Sequence, residues 1–379
     1  MLQSRWWVVL VISMASASPS HAIINVFKIC GRDQVKDLNK SLSGQVLDFT
    51  ANHREDHRIY SKALGSKRDL YVYLPCGYDG QTQFPLMYWL HGFGQDEKNF
   101  LDIVPHMDKL MRCGQIPRMI IACPDGSVTG RPSLFNAGSF YLNSRSGQFE
   151  DWVMQDVWCF LTRHFAINPA RGAHVIAGGS MGGFAAYNLG FKYRDRFGTI
   201  VGAMPGLSLR YADCHGNYFG AYDPNCVMFR EKSRPHMIIG RFYEVILIRE
   251  KRMTRPLVDR THQAMDEIAK QNPIEMLDTF AIKPGEFNMF VGYAGKDEFN
   301  LNAQALHFLD YAASRGLEVT SKCIPDGEHN TETGIRLLPS IGTFLMKHVG
   351  PYAPPLPTAG VSVVPAMPTV PSPAPMGTP

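Results

Sequence analysis

Gly178-Gly179-Ser180-Met181-Gly182 stands between an apolar run, His174 to Ala177, and a helical pattern, Phe184 to Lys192. No other stretch limits the fold as tightly. Strand, sharp turn and helix, in that order, form the setting of a nucleophile elbow. The serine there takes a strained backbone conformation, and its neighbours must lack side chains so that Oγ stands above the sheet at a helix N-terminus.

The rest of the chain supplies the sheet. Asp69 to Leu74, Leu86 to Leu90, Met119 to Ala122, His174 to Ala177, Thr199 to Met204, Asn288 to Tyr293 and Glu318 to Ile324 are short apolar or alternating runs that predict strands. Between them, Val153, Val157, Phe160 and Leu161 fall on one helical face, as do Leu301, Ala305, Phe308, Leu309 and Ala312. Strands alternating with helices imply βαβ units and a mostly parallel central sheet with helices on both faces. With 45% hydrophobic and 19% charged residues, the chain has the composition of a folded body and not of a disordered one. Its net charge of +4 makes no electrostatic case for nucleic acid.

Both ends differ from this body. Residues 1–22 carry Arg5, an apolar run from Trp6 to Ala15, and small residues at Ala15-Ser16-Ala17 and Ser20-His21-Ala22, the layout of a signal peptide. An uncleaved anchor is the other reading of the same run. Export makes the expected location secreted, periplasmic or cell envelope. Residues 351–379 hold 10 prolines and not one Asp, Glu, Lys or Arg, which predicts an extended, flexible tail. The tail is either a tether to a cell-envelope partner or a plain unstructured terminus. The folded domain is then 23–350.

Within that domain, 205–276 breaks the strand–helix alternation. It is rich in aromatics (Tyr211, Tyr218, Phe219, Tyr222, Phe242, Tyr243) and carries a basic run at Arg249, Lys251, Arg252 and Arg255. Such an excursion is a lid or acyl-binding wall beside the site, or surface decoration. All eight cysteines lie in the body, and in an exported chain an even number permits disulfides. Cys214 and Cys226 flank a turn-rich loop and are the expected bridge, while Cys123 and Cys159 sit in apolar runs as expected buried thiols. No CxxC pair or histidine spacing supports a zinc site, so neither metal nor cofactor is expected.

A serine hydroxyl needs a base and a group to orient that base, in this fold in the order Ser, Asp/Glu, His. Asp297, just past a strand end, and His329, in a turn-rich loop after the last strand, meet that order. His215, His236 and His262 lie in the irregular segment and His307 lies within an amphipathic helix, which makes them poorer bases. Leu90-His91-Gly92-Phe93-Gly94 follows an early strand and suits the loop that donates one oxyanion-hole N–H. Phe93 is the expected first donor and Met181 the second, with the His91 side chain structural.

Leu90-His91-Gly92, Ser139-Phe140-Tyr141 with Glu150-Asp151, the Gly-Gly-Ser180-Met-Gly-Gly elbow, Gly-Lys-Asp297 and Gly-Glu-His329 together resemble the esterase family of α/β-hydrolases that includes esterase D (S-formylglutathione hydrolase), feruloyl esterases and the antigen 85 mycolyltransferases. The resemblance runs from about Lys67 to His348 and leaves Pro205 to Met276 unmatched. It implies an α/β-hydrolase fold, a cofactor-free triad of Ser180, Asp297 and His329, and an oxyanion hole at Phe93 and Met181. The family's histidine commonly has glycine before it and an aromatic residue soon after; here Glu328 and Asn330 flank His329. The expected activity is hydrolysis of a small-molecule, carbohydrate or lipid ester. Its rivals are acyl transfer to a hydroxyl and a non-catalytic envelope-binding protein on the same fold.

Overall fold

The computed structural model describes residues 34–52, 55–131, 138–242, 246–254 and 264–356. The expected leader, Cys30, Tyr243, Arg255, His262 and the tail from residue 357 lie outside the described residues.

Eight strands make the central sheet: β1 Gln45–Phe49, β2 Leu70–Leu74, β3 Leu86–Leu90, β4 Ile120–Pro124, β5 His174–Gly179, β6 Thr199–Ala203, β7 Asn288–Ala294 and β8 Val319–Ile324. Their order is β1-β2-β4-β3-β5-β6-β7-β8. From β4 to β8 every pairing is parallel, while β2 runs antiparallel to both β1 and β4. β2, β3, β4 and β6 are buried at every position, as expected for strands covered on both faces.

Alternate side chains feed two cores. Val175, Ala177, Val201 and Phe290 pack with α1 (Asn99–Arg112) and with the last helix, Thr331–His348. Ile176, Ile200, Met289 and Val291 pack with the opposite layer. That layer holds α2, which runs through Phe149–Asp151, a π turn at Trp152–Val157 and Trp158–His164, then α3 (Met181–Lys192) and α4 (Leu301–Ala313). Thr331–His348 is α5. This is the mostly parallel, helix-covered sheet of the α/β-hydrolase fold.

The segment 205–276 forms two hairpins, Tyr211–Asp213 with Val227–Phe229 and Ile238–Phe242 with Ile246–Arg249, followed by short helices. Cys214 and Cys226 are bridged across the end of the first hairpin. Cys123 is buried, but Cys159 is only half-buried, because its place in α2 falls beside the buried stripe instead of within it. At the far end, residues 351–356 are not a free tail. Gly350–Tyr352 makes a 3-10 turn, Arg118 donates to the carbonyls of Cys76 and Pro355, and Leu356 lies over Gly114. Among the described residues, no helix is long and apolar enough to cross a membrane.

Candidate active site

The loops at the carboxyl ends of β3, β5, β7 and β8 converge, the edge at which open α/β sheets bind ligands. Ser180 ends the turn after β5 with φ 55° and ψ −116°, and its N–H donates to the Ala203 carbonyl at 2.9 Å. The glycines around it are steric necessities. A Cβ on Gly182 would lie 1.9 Å from the Leu90 carbonyl oxygen, and one on Gly178 would lie 2.4 Å from the Gly182 carbonyl carbon. Strand β5, helix α3 and the end of β3 therefore touch backbone to backbone, and this contact fixes the serine against the β3 loop.

Ser180 Oγ lies 2.8 Å from His329 Nε2, and His329 Nδ1 lies 2.8 Å from Asp297 Oδ2. The Asp297 carboxylate is fully buried, and its Oδ1 accepts the N–H groups of Phe299 (2.9 Å) and Leu301 (3.2 Å). That leaves Oδ2 to accept Nδ1–H, so Nε2 faces the serine as the acceptor nitrogen. Burial alone would lower the imidazole pKa. The charge and hydrogen bond of Asp297, with the charge of Glu298, outweigh it, and the net shift is upward from 6.5. Glu298 also accepts the His329 N–H at 2.7 Å, and the Phe299 ring meets the imidazole edge-on at 4.9 Å. The aromatic neighbour missing from the sequence around His329 thus arrives from the β7 loop. Asn330 instead caps α5, accepting from Thr333 N–H at 2.9 Å.

Asp326, close to His329 in sequence, points elsewhere: its side chain is 67% exposed and pairs with Arg336 at 2.6 Å. His215 and His236 are exposed. His307 is buried, shares a 3.0 Å hydrogen bond with Ser208, and is pushed down to about 4 by desolvation.

His91 is buried and fully engaged. Its Nδ1 bonds the Gly92 carbonyl at 3.0 Å, its Nε2 accepts Gly126 N–H at 2.8 Å, and its own N–H donates to the Tyr141 hydroxyl at 2.9 Å. Gln95 accepts the Gly92 N–H at 2.8 Å. These bonds hold the β3 loop in shape. Among the described residues, the N–H groups of Phe93 and Met181 find no protein acceptor, and both residues line the cleft beside Ser180 and His329. Met181 N–H is one of the unpaired donors that every helix N-terminus leaves.

The cleft holds about 1190 Å³. Segment 205–276 contributes Leu209, Tyr218, Ile239, Ile248, Met253 and Ile268 to its lining, together with a buried Arg230–Glu250 ion pair at 3.1 Å. Tyr218 is tied to the β7 loop by a 2.7 Å bond to the Phe299 carbonyl. Glu298 and Phe299 steady the histidine from one turn of chain, and their signal in the sequence is their adjacency to Asp297.

Sheet, elbow and convergent loops define a serine hydrolase of the α/β class. The family described as Putative esterase matches residues 61–270. The chain belongs to that family and is a carboxylic ester hydrolase of the serine type. In fold it is similar to a ferulic acid esterase at 18% identity and TM-score 0.56, over 82% of this chain and 100% of that one. An S-formylglutathione hydrolase from Agrobacterium tumefaciens is 15% identical with TM-score 0.55, over 82% and 97%. One from Staphylococcus aureus is 14% identical with TM-score 0.51, over 80% and 98%.

Proposed function

We propose that the chain is an exported esterase that hydrolyses small-molecule esters through an acyl-enzyme on Ser180. His329 Nε2 takes the hydroxyl proton as Oγ bonds to the ester carbonyl carbon, and the N–H groups of Phe93 and Met181 hold the resulting oxyanion. Collapse breaks the bond to the alcohol oxygen, which leaves with the proton from His329. Water then gives a proton to His329 and attacks the acyl carbon; the acid departs and Ser180 regains its proton. Asp297 keeps Nδ1 protonated and stabilises the imidazolium in both halves. The observation that carries this reading is the unbroken line of 2.8 Å contacts from Ser180 through His329 to buried Asp297.

Labelling by a fluorophosphonate probe, with turnover of a panel of esters, tests it. The panel includes hydroxycinnamoyl esters, because ferulic acid esterases share the fold. Absence of both labelling and turnover refutes the proposal, and an acyl product that shifts from acid to ester when an acceptor alcohol is added moves it to acyl transfer. Export is supported by the Cys214–Cys226 bridge and the composition of residues 1–22; cell fractionation tests it.

A further inference from the structure

Where the ends of β2 and β4 meet the chain that follows the β3 loop, three carboxylates from three parts of the chain come together. Asp69 precedes β2, Asp125 follows β4, and Glu97 lies between the β3 loop and α1. Because β2 is antiparallel to β4, with Leu70 opposite Pro124, the residue before one strand and the residue after the other sit at the same sheet end. One carboxylate oxygen from each of Asp69, Glu97 and Asp125 lies within 4.8 Å of the others. Glu97 is 2% exposed and Asp125 0% exposed, and Glu97 Oε2 is a buried oxygen with no hydrogen-bond partner. Asp96, also buried, adds a fourth carboxylate next to Glu97, and its Oδ2 is likewise without a hydrogen bond.

The positive charge nearby is too small for this group. Arg68 pairs with Asp125 at 2.6 Å, and Lys98 stands 3.9 Å from Asp96 with its side chain 58% exposed. His91 bonds the Gly126 N–H through Nε2 and is 3.7 Å from Asp125, a neutral neighbour in that tautomer. Arg58 also acts on Asp69 but is already paired with Asp56 at 2.9 Å. Four carboxylates thus face one buried guanidinium, a second one shared with Asp56, and one amine in water, and uncompensated buried charge of that size is not tolerated. We propose that Asp69, Glu97 and Asp125 bind a divalent, oxygen-preferring cation of the calcium class beneath the β3 loop.

The donor set is all oxygen and carries no sulfur or accepting imidazole, which selects a hard cation. Calcium takes oxygen ligands at about 2.3–2.6 Å, so donors on opposite sides of the ion stand roughly 5 Å apart, a span that matches the cluster. The alternative filler is a proton. With no cation, desolvation, then the charges of Asp125 and Asp96, push Glu97 up to about 9, and burial likewise raises Asp69 and Asp96. A cation would tie the Glu97 end of the β3 loop to the sheet, and through it steady the Phe93 N–H.

Calcium chloride titrated into the full chain, first stripped with a chelator, separates the two by calorimetry and thermal unfolding, neither of which depends on esterase activity. The expected result is one calcium per chain and a rise in Tm of at least roughly 3 °C at saturation. Glu97→Gln is expected to abolish both, and Asp69→Asn to weaken binding at least about tenfold. No heat of binding at about 1 mM calcium, the range of extracellular modules, with a Tm indifferent to calcium and to chelator, overturns the proposal. So does calcium binding that survives both substitutions. If Glu97→Gln does not fold, the wild-type titration with Asp69→Asn decides alone.

Discussion

Ser180→Ala removes the proposed nucleophile and nothing that the fold depends on, since the Ser180 N–H bond to Ala203 is made by the backbone. We expect kcat to fall by on the order of 10⁶, with thermal unfolding unchanged and fluorophosphonate labelling lost. Asp297 and Asp326 separate on geometry. One is buried on the imidazole and the other is an exposed partner of Arg336. Asp297→Asn should cost up to about 10⁴ in kcat by favouring the wrong histidine tautomer, whereas Asp326→Asn should stay near the wild-type rate; steady-state kinetics on both variants gives the ranking. The pH profile follows from the upward shift of His329. A general base works only when neutral, so a raised pKa moves the loss of activity on acidification to higher pH. The acid limb of kcat/KM should therefore have its midpoint above about 6.5. Glu298→Gln removes one of the charges that raise the imidazole and should shift that midpoint downward, and a midpoint that stays put would confine Glu298 to its backbone bond.

Six of the seven strands readable from the sequence are largely buried inside the sheet, where hydrophobic length carries the signal; β8, an edge strand with only Ile324 buried, reads instead from its alternating pattern. β1 was not legible because Gln45–Phe49 is an edge strand with one buried side chain, Val46, so it has neither a run nor a clean alternation. The two hairpins of 205–276 were hidden for a similar reason. The first sets Tyr211 and Phe229 against the His307 ring, the second reaches the cleft through Ile239 and Ile248, and neither has a long periodic face. Their role is testable at Ile248, which lines the cleft. Ile248→Ala should raise kcat/KM for bulky acyl groups by about tenfold while leaving an acetyl ester within roughly twofold, the scale on which apolar pocket volume discriminates; equal effects on all esters would reduce the hairpin to a cover. The elbow was legible because its glycines are forced by backbone contact. Gly182→Ala would press a methyl group onto the Leu90 carbonyl, and we expect a loss of stability of at least about 3 kcal/mol, among the largest single-residue effects, read by denaturant unfolding.

The order of Ser180, Asp297 and His329 was readable because each follows a strand whose pattern is plain, and a parallel sheet brings strand ends together whatever lies between them. The carboxylate cluster was not, since it depends on β2 running against β4, and nothing in the residue pattern gives a strand its direction. The boundary of the folded body was misread for a different reason. A proline-rich segment without charge reads as tail from its first residue, yet extended chain with free carbonyls can still dock on donors that need them. Arg118 is 8% exposed and uses Pro355 as one of its two carbonyl acceptors, and Tyr352 covers Gly172. A chain ending at Gly350 would leave that guanidinium with one partner and uncover the Gly172 surface. A lost hydrogen bond to a buried charged group costs about 1–3 kcal/mol, and at roughly 2–4 °C per kcal/mol for a domain of this size the Tm should fall by several degrees. A chain ending at Leu356 keeps both contacts and should unfold with the full-length protein. Neither truncation approaches the cleft, so both should hold the wild-type kcat on a soluble ester below their unfolding temperatures. Equal Tm values for the two truncations would mean that Pro355 and Tyr352 rest on the body without stabilising it.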